Sequence, residues 1–253
     1  MISNPVIDAM MNRKSLRKYT DEMPSDEVIE TIVRAGQQAP FAAQACSLLL
    51  KRGDKHIPFK APLLFTICVD RHKLALIMKK RNWDMKSCDL LMLLFGLQDA
   101  VLMAENIVIA AESLGMGSCF LGHPPFSAKT IKQKYNLPEG VYPIVQLTVG
   151  YAAEEKPTRP RYPLDYFLFE DKYPEFSDET IENAMKVMDE GFLSQDYYNY
   201  LNAKILLEGG REETYTLENY SWTEHMGRKW GQWWPSPKNL LENLKACGFD
   251  VGG

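Results

Sequence analysis

Apolar positions early in the chain recur at helical spacing and are punctuated by capping residues. Asn4 followed by Pro5 predicts a helix start with Pro at the first helical position. Val6, Ile7 and Met10 share one face before Asn12 ends the helix. Pro24-Ser25 opens a second helix whose buried face is Val28, Ile29, Ile32 and Val33. It stops near Gly36, so the Ala39-Pro40 loop emerges from a helix C-terminus. The period then changes. Ser47–Lys51 and Pro62–Val69 read as strands, and the nearly unbroken apolar run Leu63–Val69 predicts a central one. Leu90–Leu114 is the longest pattern. Its polar residues come as pairs seven apart, Gln98-Asp99, Glu105-Asn106 and Glu112-Ser113. A narrow polar stripe on an otherwise apolar helix implies burial on most sides. A membrane span is disfavoured, because an Asp-like charge at mid-membrane costs about 2.5–3.5 kcal/mol. A core or dimer-interface helix is expected instead. Ala128–Tyr135 predicts a short basic helix and Tyr142–Tyr151 a core strand.

From about Asp171 the pattern shifts. Ser177 or Asp178 caps a helix with Ile181, Ala184, Met185 and Met188 inward and Gly191 after it. Tyr197–Glu208 predicts another, stopped by Gly209-Gly210, and Ser236-Pro237 starts a last one with Leu240, Leu241 and Leu244 apolar. Between them lie Tyr215, Tyr220, Trp222, Trp230, Trp233 and Trp234. So many aromatics demand burial. They either cover an active site or embrace a partner subunit.

Composition narrows the picture. At 253 residues the chain is one large domain or a domain with an appendage. A net charge of −4 argues against a nucleic-acid partner. The stretch Met1–Pro5 has no basic region followed by an apolar run, so no secretory signal is expected. Five scattered cysteines without a C-x-x-C point to reduced thiols in a cytoplasmic protein. Four histidines without ligand spacing imply no metal site.

Candidate chemistry lies in two basic stretches. In Arg13-Lys14-Ser15-Leu16-Arg17, an extended chain puts residues 13, 15 and 17 on one side: two guanidiniums and a hydroxyl in a row, suited to a phosphate. Arg159-Pro160-Arg161 follows the last core strand, with Pro160 stiffening the backbone. A solvated surface accounts for either stretch alone. Gly115-Met116-Gly117 is no dinucleotide fingerprint, because a helix precedes it; it reads as a helix C-cap with Gly115 left-handed.

Taken in order, these motifs resemble the nitroreductase family of FMN-dependent oxidoreductases. The R-[RHK]-S-x-[RK] motif is Arg13–Arg17, the Ala-Pro loop is Ala39-Pro40-Phe41-Ala42-Ala43-Gln44, the G-[LM]-G turn is Gly115–Gly117, and the terminal basic pair is Arg159 and Arg161. The resemblance covers roughly residues 1–170. It implies an α+β fold with a mixed, mainly antiparallel sheet flanked by helices, residues 1–170 forming the FMN-binding domain and 171–253 a helical extension.

The resemblance further implies that Arg13 and Ser15, with Lys14 beside them, face the FMN phosphate and ribityl chain and that Arg17 faces N1 and the C2 carbonyl. Leu121, Gly122 and His123 would lie near N5, and Arg159 and Arg161 would hold the phosphate. The active site is then at a homodimer interface, with Pro40, Phe41, Ala42 and Gln44 serving the partner's flavin. His123, beside two prolines, reads as structural. Phe41 lacks the hydroxyl that the family often carries there, while Gln44 retains an amide. The expected activity is ping-pong hydride transfer from NAD(P)H through flavin N5 to a small acceptor: a nitroaromatic, a quinone, a flavin or an enone. An FMN reservoir, sensor or electron relay without turnover, and reductive dehalogenation, fit the same residues.

Overall fold

The computed structural model describes residues 2–86, 88–232 and 237–252. Trp233, Trp234 and Ser236 lie outside the described residues. Contacts divide the chain into two compact units, Met1–Lys156 with Ser236–Gly253, and Pro157–Pro235. The sequence-based boundary at 170 differs from this division at both ends: residues 157–170 join the second unit, and the last helix joins the first.

The first unit is built on a four-stranded antiparallel sheet, β1 (Cys46–Arg52), β2 (Leu63–Asp70), β3 (Met116–Leu121) and β4 (Val141–Tyr151), in the order β1-β2-β4-β3. Every residue of β2 is buried, as the unbroken apolar run requires. Helix α1 (Pro5–Asn12) starts where Asn4 accepts hydrogen bonds from the Val6 and Ile7 amides. Helix α2 (Asp26–Gln37) is capped by Ser25 and buries Ile29 and Ile32. Helix α3 (His72–Lys80) has no counterpart in the sequence reading; no side chain caps its start, so its boundary carried no signal.

Helix α4 (Asp89–Ser113) spans the unit and buries Ile107, Val108 and Ala111 against the sheet. It is long and apolar enough to cross a membrane by length and composition, yet nearly half of its most apolar stretch is buried within the protein. Gly115, at φ +75°, follows it in the left-handed conformation expected of a C-cap. Helix α5 (Ala128–Tyr135) precedes β4.

The second unit holds α6 (Asp178–Leu193), α7 (Tyr197–Leu201) and α8 (Trp222–Gly231). Ser177 caps α6 as expected. Ala184 and Met188 are buried, whereas Ile181 and Met185 are exposed. The helix also runs through Gly191 instead of stopping before it. The helix expected over 197–208 ends at Leu201, because Asn202 turns left-handed at φ +48° and the following backbone is bonded by distant side chains. The Ile205 amide donates to the Tyr220 hydroxyl, and its carbonyl accepts from Arg228 at 2.7 Å. Helix α8 was hidden by its aromatics. Trp222 packs edge-on to Tyr162, 5.4 Å between centroids, beside the buried cluster of Met188, Phe192, Tyr198 and Tyr220.

The last helix, α9 (Pro237–Ala246), belongs to the first unit. Leu244, Cys247 and Phe249 join its main core.

Candidate functional site

Segment 13–20 lies along the sheet as an extra, partial strand. Ser15 bridges Ser118 of β3, and the Leu16 amide donates to the Ser118 carbonyl at 2.9 Å. Leu16 is buried against Gly117, where any Cβ would approach its Cδ1 to 2.1 Å. The glycine therefore admits the leucine, and with Leu16 turned inward the alternation directs Ser15 and Arg17 away from the core.

Arg13, Ser15 and Arg17 all act on the Cys119 thiol of β3. Burial pushes the Cys119 thiol up, while Arg17, the Ser15 hydroxyl and Arg13 pull it back. Neither Arg13 nor Arg17 donates a side-chain hydrogen bond to another of the described residues. Lys14 differs: its ammonium pairs with Glu155 at 2.5 Å. Leu121 packs with Tyr19 on the small cluster of Ile57, Ala61 and Leu64, so the end of β3 adjoins the same segment. Gly122 and His123 follow it, both exposed, and, chain neighbours aside, none of the described residues comes within 4 Å of the position a Cβ would take at Gly122.

Glu112, in the last turn of α4, borders this group. Burial pushes its carboxyl up to about 7 against the pull of Arg13 and Lys14, and its Oε1 is enclosed with no hydrogen-bond partner among the described residues. A carboxyl raised above its unfolded value of 4.5 holds its proton more tightly in the native state. Its unfavourable contribution therefore grows as pH rises from there through about 7. Glu112→Gln should raise the melting temperature more at about pH 8 than at about pH 5. Equal shifts at both pH values in thermal unfolding would show that Glu112 does not titrate in this range.

The Pro40–Gln44 loop is organised elsewhere on α4. The Asp99 carboxylate, 2% exposed, accepts from the amides of Ala42 at 2.6 Å, Ala43 at 3.1 Å and Ala45 at 2.9 Å. Gln44 is exposed with φ +51°, and Phe41 is exposed too. The loop borders a cleft of about 340 Å³ with Gln37, Ser47 and Lys73 among its walls. Asp99 and Glu112 are 13 residues apart on one helix, roughly 20 Å at 1.5 Å per residue. One protomer therefore does not bring this loop to Arg13–Arg17. Asp99 is the anchor that the sequence reading missed, although a buried carboxylate interrupting an apolar helix was its signal.

Arg159 and Arg161 lie in the second unit. The Arg159 guanidinium donates to Gln195 at 2.5 Å and stacks on the Tyr197 ring at 4.1 Å. Arg161 donates to the carbonyls of Arg159 and Pro160. Among the described residues no group of His, Cys, Asp and Glu is arranged to hold a metal ion.

An antiparallel sheet flanked by helices, with a cationic row pinned to one strand, defines an α+β class of protein. Within it, the sequence model of the nitroreductase family matches residues 10–50 and 43–151. A CR(VI) reductase of Pseudomonas sp. (strain G-1) is 31% identical over 183 residues, 66% of this chain and 75% of that protein. An FMN reductase (NADPH) of Bacillus subtilis (strain 168) is 26% identical over 229 residues, 84% of this chain and 89% of that protein. The solved structure of B. megaterium NfrA1 superposes with a TM-score of 0.79 at 26% identity, covering 97% of this chain and 99% of that one. The chain belongs to the nitroreductase family.

Proposed function

We propose that the protein is an FMN-dependent oxidoreductase that takes hydride from NAD(P)H and delivers it to a small electron-poor acceptor in two alternating half-reactions. The observation that carries this reading is the row Arg13, Ser15 and Arg17, pinned to β3 with both guanidiniums left unbonded by other described residues. That donor set fits a group with a phosphate at one end and carbonyl oxygens at the other. The relative named as an NADPH-dependent FMN reductase supports the cofactor and the donor. When bound, FMN supplies the two-electron chemistry at N5.

Arg13 and Ser15 bind the phosphate and ribityl end. Arg17 holds a fixed cation at the ring edge where negative charge builds on reduction, which favours that reduction. Leu121, Gly122 and His123 border the ring, Gly122 leaving room for its close approach. Arg159 and Arg161 are assigned to the phosphate on the family resemblance alone. Lys14, held by Glu155, contributes charge to the row without a free ammonium.

The protein works as a homodimer in the cytoplasm. Leu90, Leu91, Leu94, Phe95, Val101 and Leu102 of α4 are each 38% to 50% exposed, and Val6, Met10 and Met11 of α1 are exposed as well. An apolar helix face of this size calls for a partner. The roughly 20 Å along α4 between the Asp99 loop and Arg13 supports a site in which Pro40–Gln44 serves the other protomer.

The purified protein should be yellow, and FMN titration should quench its fluorescence. Arg17→Ala should weaken FMN and riboflavin alike, and Arg13→Ala should weaken FMN far more than riboflavin. Each loss should be about 1.5–3 kcal/mol, roughly 10- to 150-fold. A colourless protein that takes up no FMN would remove the proposal. FMN binding without steady NADPH consumption in the presence of an acceptor would leave a flavin carrier and not an enzyme.

A further inference from the structure

The peptide joining Leu16 to Arg17 is held by side chains on both of its polar groups. Its carbonyl accepts from the Tyr19 hydroxyl at 2.8 Å. Its N–H donates to Glu154 Oε1 at 2.7 Å. Tyr19 is itself fixed, its oxygen 2.9 Å from the hydroxyl of Thr148, a fully buried residue of β4. The Glu154 side chain is 9% exposed, with Lys156 3.6 Å from its other oxygen. Backbone bonds from Thr20 to Tyr151 and from Ala153 to Lys18 close the arrangement. A phenol and a carboxylate spent on one peptide bond over-determine it, and that bond leads into the residue whose charge the flavin reading uses.

We propose that Tyr19 and Glu154 are positioning residues that clamp this peptide, set where the Arg17 cation stands, and moderate its field. The inference rests on the proposed flavin role of Arg17. The two residues divide the work. Tyr19 is neutral, because burial pushes its phenol well above the ordinary tyrosine range, so it acts through geometry. Glu154 brings a carboxylate close to Arg17, and both charges reach the same neighbours: each acts on Cys119 and on Tyr19, with opposite sign. The cation that the bound ring edge meets is thus partly offset.

The test uses the full-length protein. Hydrogen exchange of the Arg17 amide is followed without FMN, and the flavin midpoint potential is measured after reconstitution with FMN. In the parent the amide should be protected. Tyr19→Phe should speed its exchange about 3- to 10-fold, as the loss of one hydrogen bond implies, and lower FMN and riboflavin affinity by a similar factor. Glu154→Gln keeps an oxygen acceptor but removes the charge, so it should raise the midpoint potential with little change in exchange. Glu154→Asp keeps the charge and shortens the reach, so it should do the reverse. Melting curves identify any variant that fails to fold, and the remaining two still decide the matter. An unprotected Arg17 amide, or variants equal to the parent in exchange and in potential, would overturn the clamp. A parent that binds no FMN yet shows the predicted exchange pattern would instead overturn the flavin reading.

Discussion

Asp99→Ala is expected to cost about 3–5 kcal/mol of stability and to release the Pro40–Gln44 loop. The carboxylate is almost wholly buried and accepts from three amides. Hydrogen bonds to a charged group are worth about 1.5–3 kcal/mol each, and a buried amide left without a partner costs about 1–3 kcal/mol. The lower part of the summed range applies. The Ala42 and Ala43 bonds are only part-buried, so water can reach those amides, while the Ala45 bond is fully buried. Against a total stability of about 5–15 kcal/mol the loss is severe. Asp99→Asn should fall between, because it keeps one acceptor oxygen but turns an NH₂ donor toward amides that also donate. Urea unfolding measures both. A loss under about 1 kcal/mol for the alanine variant would mean that the loop holds itself. If the loop serves the other protomer's flavin, Asp99→Asn should also weaken FMN binding while Arg13, Ser15 and Arg17 remain intact.

Asp99 also shows what the sequence exposes and what it hides. The three polar pairs on α4 were visible as a narrow stripe on a largely buried helix, but the stripe does not say what each pair touches. Each pair in fact serves a different neighbour: Asp99 holds the loop before β1, Asn106 donates to the Ala35 carbonyl of α2 at 3.2 Å, and Glu112 borders Arg13. Periodicity records that a position is polar; what it touches depends on segments brought in from afar. Elements with a local signature were legible. Asn4, Ser25 and Ser177 cap their helices as read, and the Leu63–Val69 run is the central β2. Helices α3 and α8, which start with no side-chain cap, were not read, whereas α5, uncapped as well, was legible from its basic residues and the Pro138 beyond its end. The cationic row was legible because alternation along an extended chain is local. The pairing of Lys14 with Glu155, 141 positions away, was not.

Phe249→Ala should be nearly as damaging as loss of Asp99, by about 3–5 kcal/mol. Phe249 is 1% exposed in the main core of the first unit, its ring 6.1 Å from that of Tyr142 and under the Arg71 guanidinium at 5.2 Å. The chain around it is tied to three separate elements. The Gly140 amide, just before β4, donates to the Cys247 carbonyl at 2.8 Å. Arg71, just before α3, donates to the Gly248 carbonyl at 2.5 Å. The Asp250 amide donates to Asp89 at the start of α4 at 2.8 Å. The sequence reading makes residues 171–253 a helical extension, a lid or a dimer embrace; the last turn of the chain instead closes the core of the first unit. Truncation after Lys172 should therefore yield insoluble protein, because it strips Leu244, Cys247 and Phe249 from their neighbours. Phe249→Leu, which keeps most of the apolar volume, should cost less than the alanine change. Denaturant midpoints for the two substitutions, with the truncated chain's solubility, separate the possibilities. A soluble, cooperatively folding chain ending at Lys172, together with a Phe249→Ala loss under about 1 kcal/mol, would mean that the core closes without its C-terminal turn.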